Sequence, residues 1–150
     1  KVDLVDDSPQ ALKMAKENMA LNGFPSSSFR LIKKDMFDFL KDETRLDYDL
    51  VILDPPAFAK KKADEKQAGR AYQQLNYLAL SKMKPASLLL TFSCSYYVRR
   101  ELFQKIIFQA ALQAHRQVRI LTAHRQSYDH PVSIFHPESD YLKGFLLYVS

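Results

Sequence analysis

The chain has 150 residues, enough for one domain with a sizeable core or for part of a larger one. Hydrophobic residues make up 47%, no apolar run approaches the roughly 20 residues of a membrane-spanning helix, and the one cysteine excludes an intrachain disulfide. The excess of 22 Lys+Arg over 17 Asp+Glu gives a charge of +5, which suits a polyanionic partner without demanding one; with no signal-peptide shape at Lys1 to Gln10, the cytoplasm is the expected compartment.

Short apolar runs alternate with helical patterns along the chain. Val2 to Val5 reads as a strand ended by Asp6-Asp7. Ser8 then caps a helix with Pro9 at its first position, and Asn22-Gly23 closes it. Phe29 to Ile32 reads as a second strand, followed by Asp35 and a short helix over Phe37 to Lys41. Tyr48 to Leu53 is a third strand, apolar enough to be covered on both faces. A lysine-rich loop over about Phe58 to Lys66 leads to a helix over about Gln67 to Lys82. Ser87 to Phe92 is a fourth strand. Tyr97 to Ala114 is a helix in which Leu102, Ile106, Phe108, Ala110 and Leu112 recur. Two last strands, about Gln117 to Ala123 and Leu142 to Val149, enclose a long loop and form an antiparallel edge, because no helix separates them. Strands separated by helices predict a single α/β unit with a doubly wound, largely parallel sheet.

Ligands bind beyond the carboxyl ends of such strands. At those ends stand Asp6, Asp35, Asp54 with Pro55-Pro56, and Ser93-Cys94-Ser95. Asp6 is placed to hold the ribose hydroxyls of a nucleoside, with Asp7 as rival; capping of the following helix explains both equally well. Asp35 is placed to accept from an adenine amino group, or to start a helix. Asp54-Pro55-Pro56 predicts a stiff turn whose carbonyls point outward, a platform for a planar base. Cys94 lies just before a helix, with Arg99 and Arg100 nearby. That setting is expected to lower its pKa towards a reactive thiolate, whereas an isolated buried cysteine is more often core. No metal-ligand set is assigned. Gly23, Gly69 and Gly144 are the only glycines, far below the average usage of about 7%, so a glycine-rich cofactor loop is either absent or lies upstream of Lys1.

Asp-x-Ser-x-x-Ala-Leu at Asp6 to Leu12, Asp-Pro-Pro-Ala-Phe at Asp54 to Phe58 and Thr-Phe-Ser-Cys-Ser at Thr91 to Ser95 resemble consecutive motifs of class I S-adenosylmethionine-dependent methyltransferases. More narrowly, with Asp129-His130-Pro131 and Tyr141-Leu142-Lys143-Gly144, they resemble the PUA-domain-containing cytosine-5 methyltransferases of large-subunit ribosomal RNA. The resemblance implies a Rossmann-like sheet of order 3-2-1-4-5-7-6 with helices on both faces, its first strand and glycine loop missing from this chain. Two sheet fragments would then be left unjoined, in the C-terminal part of a longer protein. It implies S-adenosylmethionine as cofactor and RNA, ribosomal in kind, as partner. Asp6 and Asp35 would match the ribose and adenine contacts, Cys94 the nucleophile, and Asp54 the acid between the cofactor and the target base. Lys60, Lys61, Lys62 and Arg70, and more weakly Lys143, are candidate phosphate contacts. Two other readings stay open: methyl transfer to an exocyclic amino group of guanine or adenine, and a catalytically silent RNA-binding module.

Overall fold

The computed structural model describes residues 1–150, apart from the side chain of Pro137. The chain divides into two compact units, Lys1–Thr44 and Arg45–Ser150.

The first unit runs β1 (Val2–Asp6), α1 (Pro9–Leu21), β2 (Phe29–Lys33) and α2 (Met36–Asp42). β1 and β2 pair in parallel from Val2↔Phe29 to Asp6↔Lys33, and the facing residues Asp3 and Arg30 form an ion pair. Ser8 caps α1 as expected, its hydroxyl accepting from the Ala11 N–H at 3.2 Å. Gly23, just past the Asn22 cap, has φ +74°, a left-handed conformation that costs glycine little. α2 is capped by Asp35, whose Oδ1 accepts from Phe37 N at 2.8 Å and Asp38 N at 3.1 Å.

The second unit contains β3 (Leu50–Leu53), α3 (Glu65–Lys82), β4 (Ser87–Ser93), α4 (Arg100–Gln113), β5 (Val118–His124) and β6 (Lys143–Val149). The strands form one sheet of order β3-β4-β6-β5, with β3 parallel to β4 and β6 antiparallel to both β4 and β5. With β1-β2 as the other sheet, these pairings are the 3-2 and 4-5-7-6 portions of the expected order, and the last two strands do pair antiparallel. Along β4, Ser87, Leu89, Thr91 and Ser93 face the interior while the residues between them are half-buried, the period-2 pattern of a strand. Phe103 of α4 stacks on Phe145 of β6 with centroids 6.0 Å apart and meets Tyr72 of α3 edge-on at 5.4 Å. Around these rings Leu75, Leu80, Leu89, Leu147 and Val149 are fully buried.

One sequence expectation about packing is corrected. Among the described residues β3 pairs with β4 alone, and Leu50 and Ile52 are 44% and 57% exposed, so the third strand is not covered on both faces in this chain. In α4 the inward face is Phe103, Ile106, Ile107, Ala110 and Ala111, while Phe108 and Leu112 stand outside. The helix carries apolar residues nearly all round, so composition left the inward stripe open. The ring contacts of Phe103 decide it.

Candidate active site

β3 and β4 are adjacent parallel strands, so their carboxyl-terminal turns open at the same end of the sheet. Two contacts tie the turns together. The Cys94 thiol donates to the Pro55 carbonyl at 3.6 Å, and the Ala59 N–H donates to the Ser95 hydroxyl at 3.1 Å. Ser95 Oγ also shares a hydrogen bond with the Tyr72 hydroxyl of α3 at 3.0 Å, and the Phe58 ring lies 4.7 Å from that of Tyr72. Proline at 55 and 56 stiffens one wall. The buried Ser93 and Ser95 fix the other, leaving Cys94 half-buried between them and Asp54 exposed.

The electrostatics differ from expectation. Burial pushes the Cys94 thiol above its ordinary value and the Asp54 carboxylate adds to that; a hydrogen bond from the thiol's own backbone and the charge of Lys143 pull it back. Arg99 and Arg100 do not act on it. α4 begins only at Arg100, Arg99 is exposed, and Arg100 donates to the His124 carbonyl at 3.1 Å with its guanidinium over the Phe145 ring. Tyr72 is likewise raised, chiefly by burial.

Lys143 is the residue that sequence reasoning misjudged. Expected at a phosphate, it is 5% exposed and donates to the carbonyls of Ser95 at 2.7 Å and Tyr141 at 2.6 Å. Burial lowers its ammonium to about 8, against the opposing charges of Asp140 and Cys94. Lysine is a surface residue by habit; only the register of β6 on β4, with Lys143 opposite Ser93, draws this one inside. Gly144, next along β6, has no room for a side chain, since a Cβ there would lie 2.4 Å from the Phe92 ring. Of the other cationic candidates, Lys60, Lys61 and Arg70 are exposed, and Lys62 pairs with Glu65.

In the first unit, Asp6 is the last residue of β1, and Asp35 stands two residues beyond the end of β2. Both serve locally, as the capping alternative expects. Asp6 Oδ1 accepts from the Ser8 N–H at 2.7 Å, and Asp35 Oδ1 caps α2. In each the Oδ2 atom takes no protein donor among the described residues. Each exposed carboxylate therefore retains an acceptor for hydroxyl or amino donors of a nucleoside. Among the described residues there is no cluster of three or more His, Cys, Asp or Glu suited to a metal ion, and no helix long and apolar enough to cross a membrane.

Parallel strands joined by helices, with acids at strand ends in each unit and a thiol at one in the second, are features of a methyltransferase catalytic domain, and the chain belongs to the methyltransferase small domain family, whose model matches residues 1–80. It is 43% identical over 145 residues to the ribosomal RNA large subunit methyltransferase I of Tolumonas auensis, covering 95% of this chain and 36% of that protein. The protein of the same name from Aeromonas salmonicida is 42% identical over 145 residues, covering 95% and 37%. The chain thus spans little more than a third of the length of these relatives. Among solved structures it is similar to a methyltransferase complexed with SAH, with TM-score 0.81, 23% identity and coverage of 97% of this chain and 38% of that one. It is also similar to a SAM-dependent methyltransferase from Streptococcus mutans, with TM-score 0.80, 22% identity and coverage of 97% and 37%. These two likenesses establish the fold, α/β and Rossmann-like.

Proposed function

We propose that the chain is the C-terminal part of the catalytic domain of an S-adenosylmethionine-dependent RNA methyltransferase that forms 5-methylcytosine in large-subunit ribosomal RNA. The observation that carries this reading is the pairing of the Asp54-Pro55 and Ser93-Cys94-Ser95 turns, which puts a thiol and a carboxylate at neighbouring strand ends. The names of the relatives support the ribosomal substrate, the family supports the cofactor, and the basic balance of the chain suits RNA.

Asp6 and Asp35 would hold the cofactor through their second carboxylate oxygens, Asp6 on the ribose and Asp35 on the adenine, with Asp54 bordering both cofactor and base. When bound, S-adenosylmethionine supplies an electrophilic methyl group. Carbon 5 of cytosine is a poor nucleophile, and Cys94 answers that difficulty. Its thiolate forms a bond to carbon 6, and the ring electron pair shifts to carbon 5, which becomes nucleophilic. Asp54 would accept a hydrogen bond from the cytosine amino group or from a ring nitrogen that takes up a proton as the thiolate adds, so that the adduct's ring carries no net negative charge. Once carbon 5 carries the methyl group, its proton leaves to water. The carbon–sulfur bond then breaks and its electron pair returns to Cys94.

One observation favours the second reading, transfer to an exocyclic amino group, which needs no thiol. Burial and Asp54 both raise Cys94. The test is Cys94→Ala in the full-length protein. Methylation is expected to be abolished, with cofactor affinity within a few-fold of the parent, because the thiolate acts on the base. RNA carrying 5-fluorocytosine at the target, whose fluorine cannot leave as a proton does, should trap a covalent adduct on Cys94. An alanine variant that methylates at the parent rate would transfer the case to the amino-group reading.

A further inference from the structure

The chain leaves Cys94 through a tight turn with two tyrosines at its tip. Ser95 to Val98 form a β-turn, closed by the Val98 N–H on the Ser95 carbonyl at 3.0 Å. Both ends are anchored in the interior: Ser95 and Val98 are fully buried, and the Ser95 carbonyl also receives the Lys143 ammonium at 2.7 Å. Between them Tyr96 stands 46% exposed. Its ring meets that of Tyr97 edge to face, with centroids 5.3 Å apart and planes at 81°. Such a contact steadies the Tyr96 ring and occupies at most one of its faces. A single exposed tyrosine is ordinary on a protein surface; this one is set apart by its place. It stands two residues from the half-buried Cys94, which the backbone limits to about 7 Å between their Cα atoms. Arg99, exposed just after the turn, offers a charge for a phosphate at the same edge.

We propose that Tyr96 is a stacking platform for the substrate RNA: with the target base presented to Cys94, the nucleobase next to it in the strand lies on the Tyr96 ring. A ring already held by a buried turn and a neighbouring ring loses little freedom when a base settles on it. Every base has a π-face, so the contact accepts any nucleotide but requires one that is free of its own stack. The substrate it fits is a loop or a locally opened segment of RNA, since a base inside a helix has no face to offer. The inference rests on the proposed RNA substrate and deepens it, by naming the state of the strand that the site receives.

The test is the affinity of the full-length protein for unmodified large-subunit ribosomal RNA, measured by filter binding. Tyr96→Leu should weaken it by about tenfold, as expected for one lost base stack, with S-adenosylmethionine affinity and thermal stability close to the parent. Tyr96→Phe keeps the ring and should recover the parent affinity. Stacking releases no counterions, so the loss should be the same at low and at moderate salt. Parent-like binding by the leucine variant overturns the proposal. So does a phenylalanine variant as weak as leucine, which would assign the contact to the hydroxyl. A second measurement needs no variant: bound RNA should protect Tyr96 from nitration by tetranitromethane, read by mass spectrometry. Equal nitration with and without RNA also overturns the proposal. Neither readout involves methyl transfer. If Tyr96→Leu loses RNA affinity while Cys94→Ala still methylates, the platform stands and the nucleophile reading falls. Parent-like affinity in Tyr96→Leu with a dead alanine variant means the reverse.

Discussion

The Tyr72 hydroxyl lies 3.0 Å from the Ser95 hydroxyl, joining the middle of α3 to the turn after β4 inside the protein. Ser95 also receives the Ala59 N–H, so one serine oxygen links a helix and two turns. Tyr72→Phe removes the hydroxyl that bonds Ser95 and is also turned towards Ser93, and leaves the ring packing against Phe58 and Phe103 intact. Chemical denaturation should show a loss of about 1 kcal/mol, the usual net worth of such a bond, with the slope of the transition unchanged.

Asp6→Asn separates local structure from cofactor binding. Asparagine can still accept from the Ser8 N–H, so the turn into α1 should survive and thermal stability should hardly move. The charge that would hold a ribose is lost, and calorimetry on the full-length protein should show S-adenosylmethionine binding weaker by about tenfold or more. Asp7→Asn should bind as the parent does. Equal effects at the two positions would mean that neither carboxylate touches the ribose.

Gly144→Ala places a methyl group 2.4 Å from one ring carbon of Phe92 and 3.2 Å from the Cβ of His124. The ring has to swing out of its contact, and overpacking of this kind costs about 1–3 kcal/mol. A urea titration should show the midpoint falling. Shortening Phe92 to leucine in the same chain should recover part of the loss, since the two changes share one space.

Lys143 also makes stability depend on pH. Its ordinary value is 10.5 and in the fold it is about 8. Between those values the unfolded chain keeps a proton that the folded chain has released, so stability rises with pH across that window. Below it both states are protonated and the fold bears the full cost of a buried charge. Unfolding measured from pH 8 to 9, before the raised thiol and Tyr72 titrate, should show the rising limb in the parent and a flatter one in Lys143→Met. A slope that survives the substitution would assign it to another group.

Much of the fold was legible because local chemistry wrote it. Ser8, Pro9, Asn22 and Gly23 mark the ends of α1 by capping and turn preferences that need no tertiary context. The strand ends were equally legible, and with them Asp6, Asp35, Asp54 and Cys94, since a residue's place after a strand is a sequence property. What could not be read was anything set by register and neighbours. The inward face of α4 depends on which of its many apolar residues meets Phe145, and the influence on Cys94 depends on where side chains turn. Arg100, six residues away, turns to His124, while Lys143, far along the chain, arrives through the β4–β6 ladder. Sequence proximity favoured the wrong cations.

The open side of β3 has a consequence for the longer protein. A parallel strand bonded on one side only offers a row of unused N–H and C=O groups on the other, and here Leu50 and Ile52 stand exposed on the same strand. Such an edge recruits further strands, from other copies if nothing else is at hand. In the longer protein this edge is where a further parallel strand would pair, and a charged replacement at Ile52 should lower the thermal stability of the full-length protein.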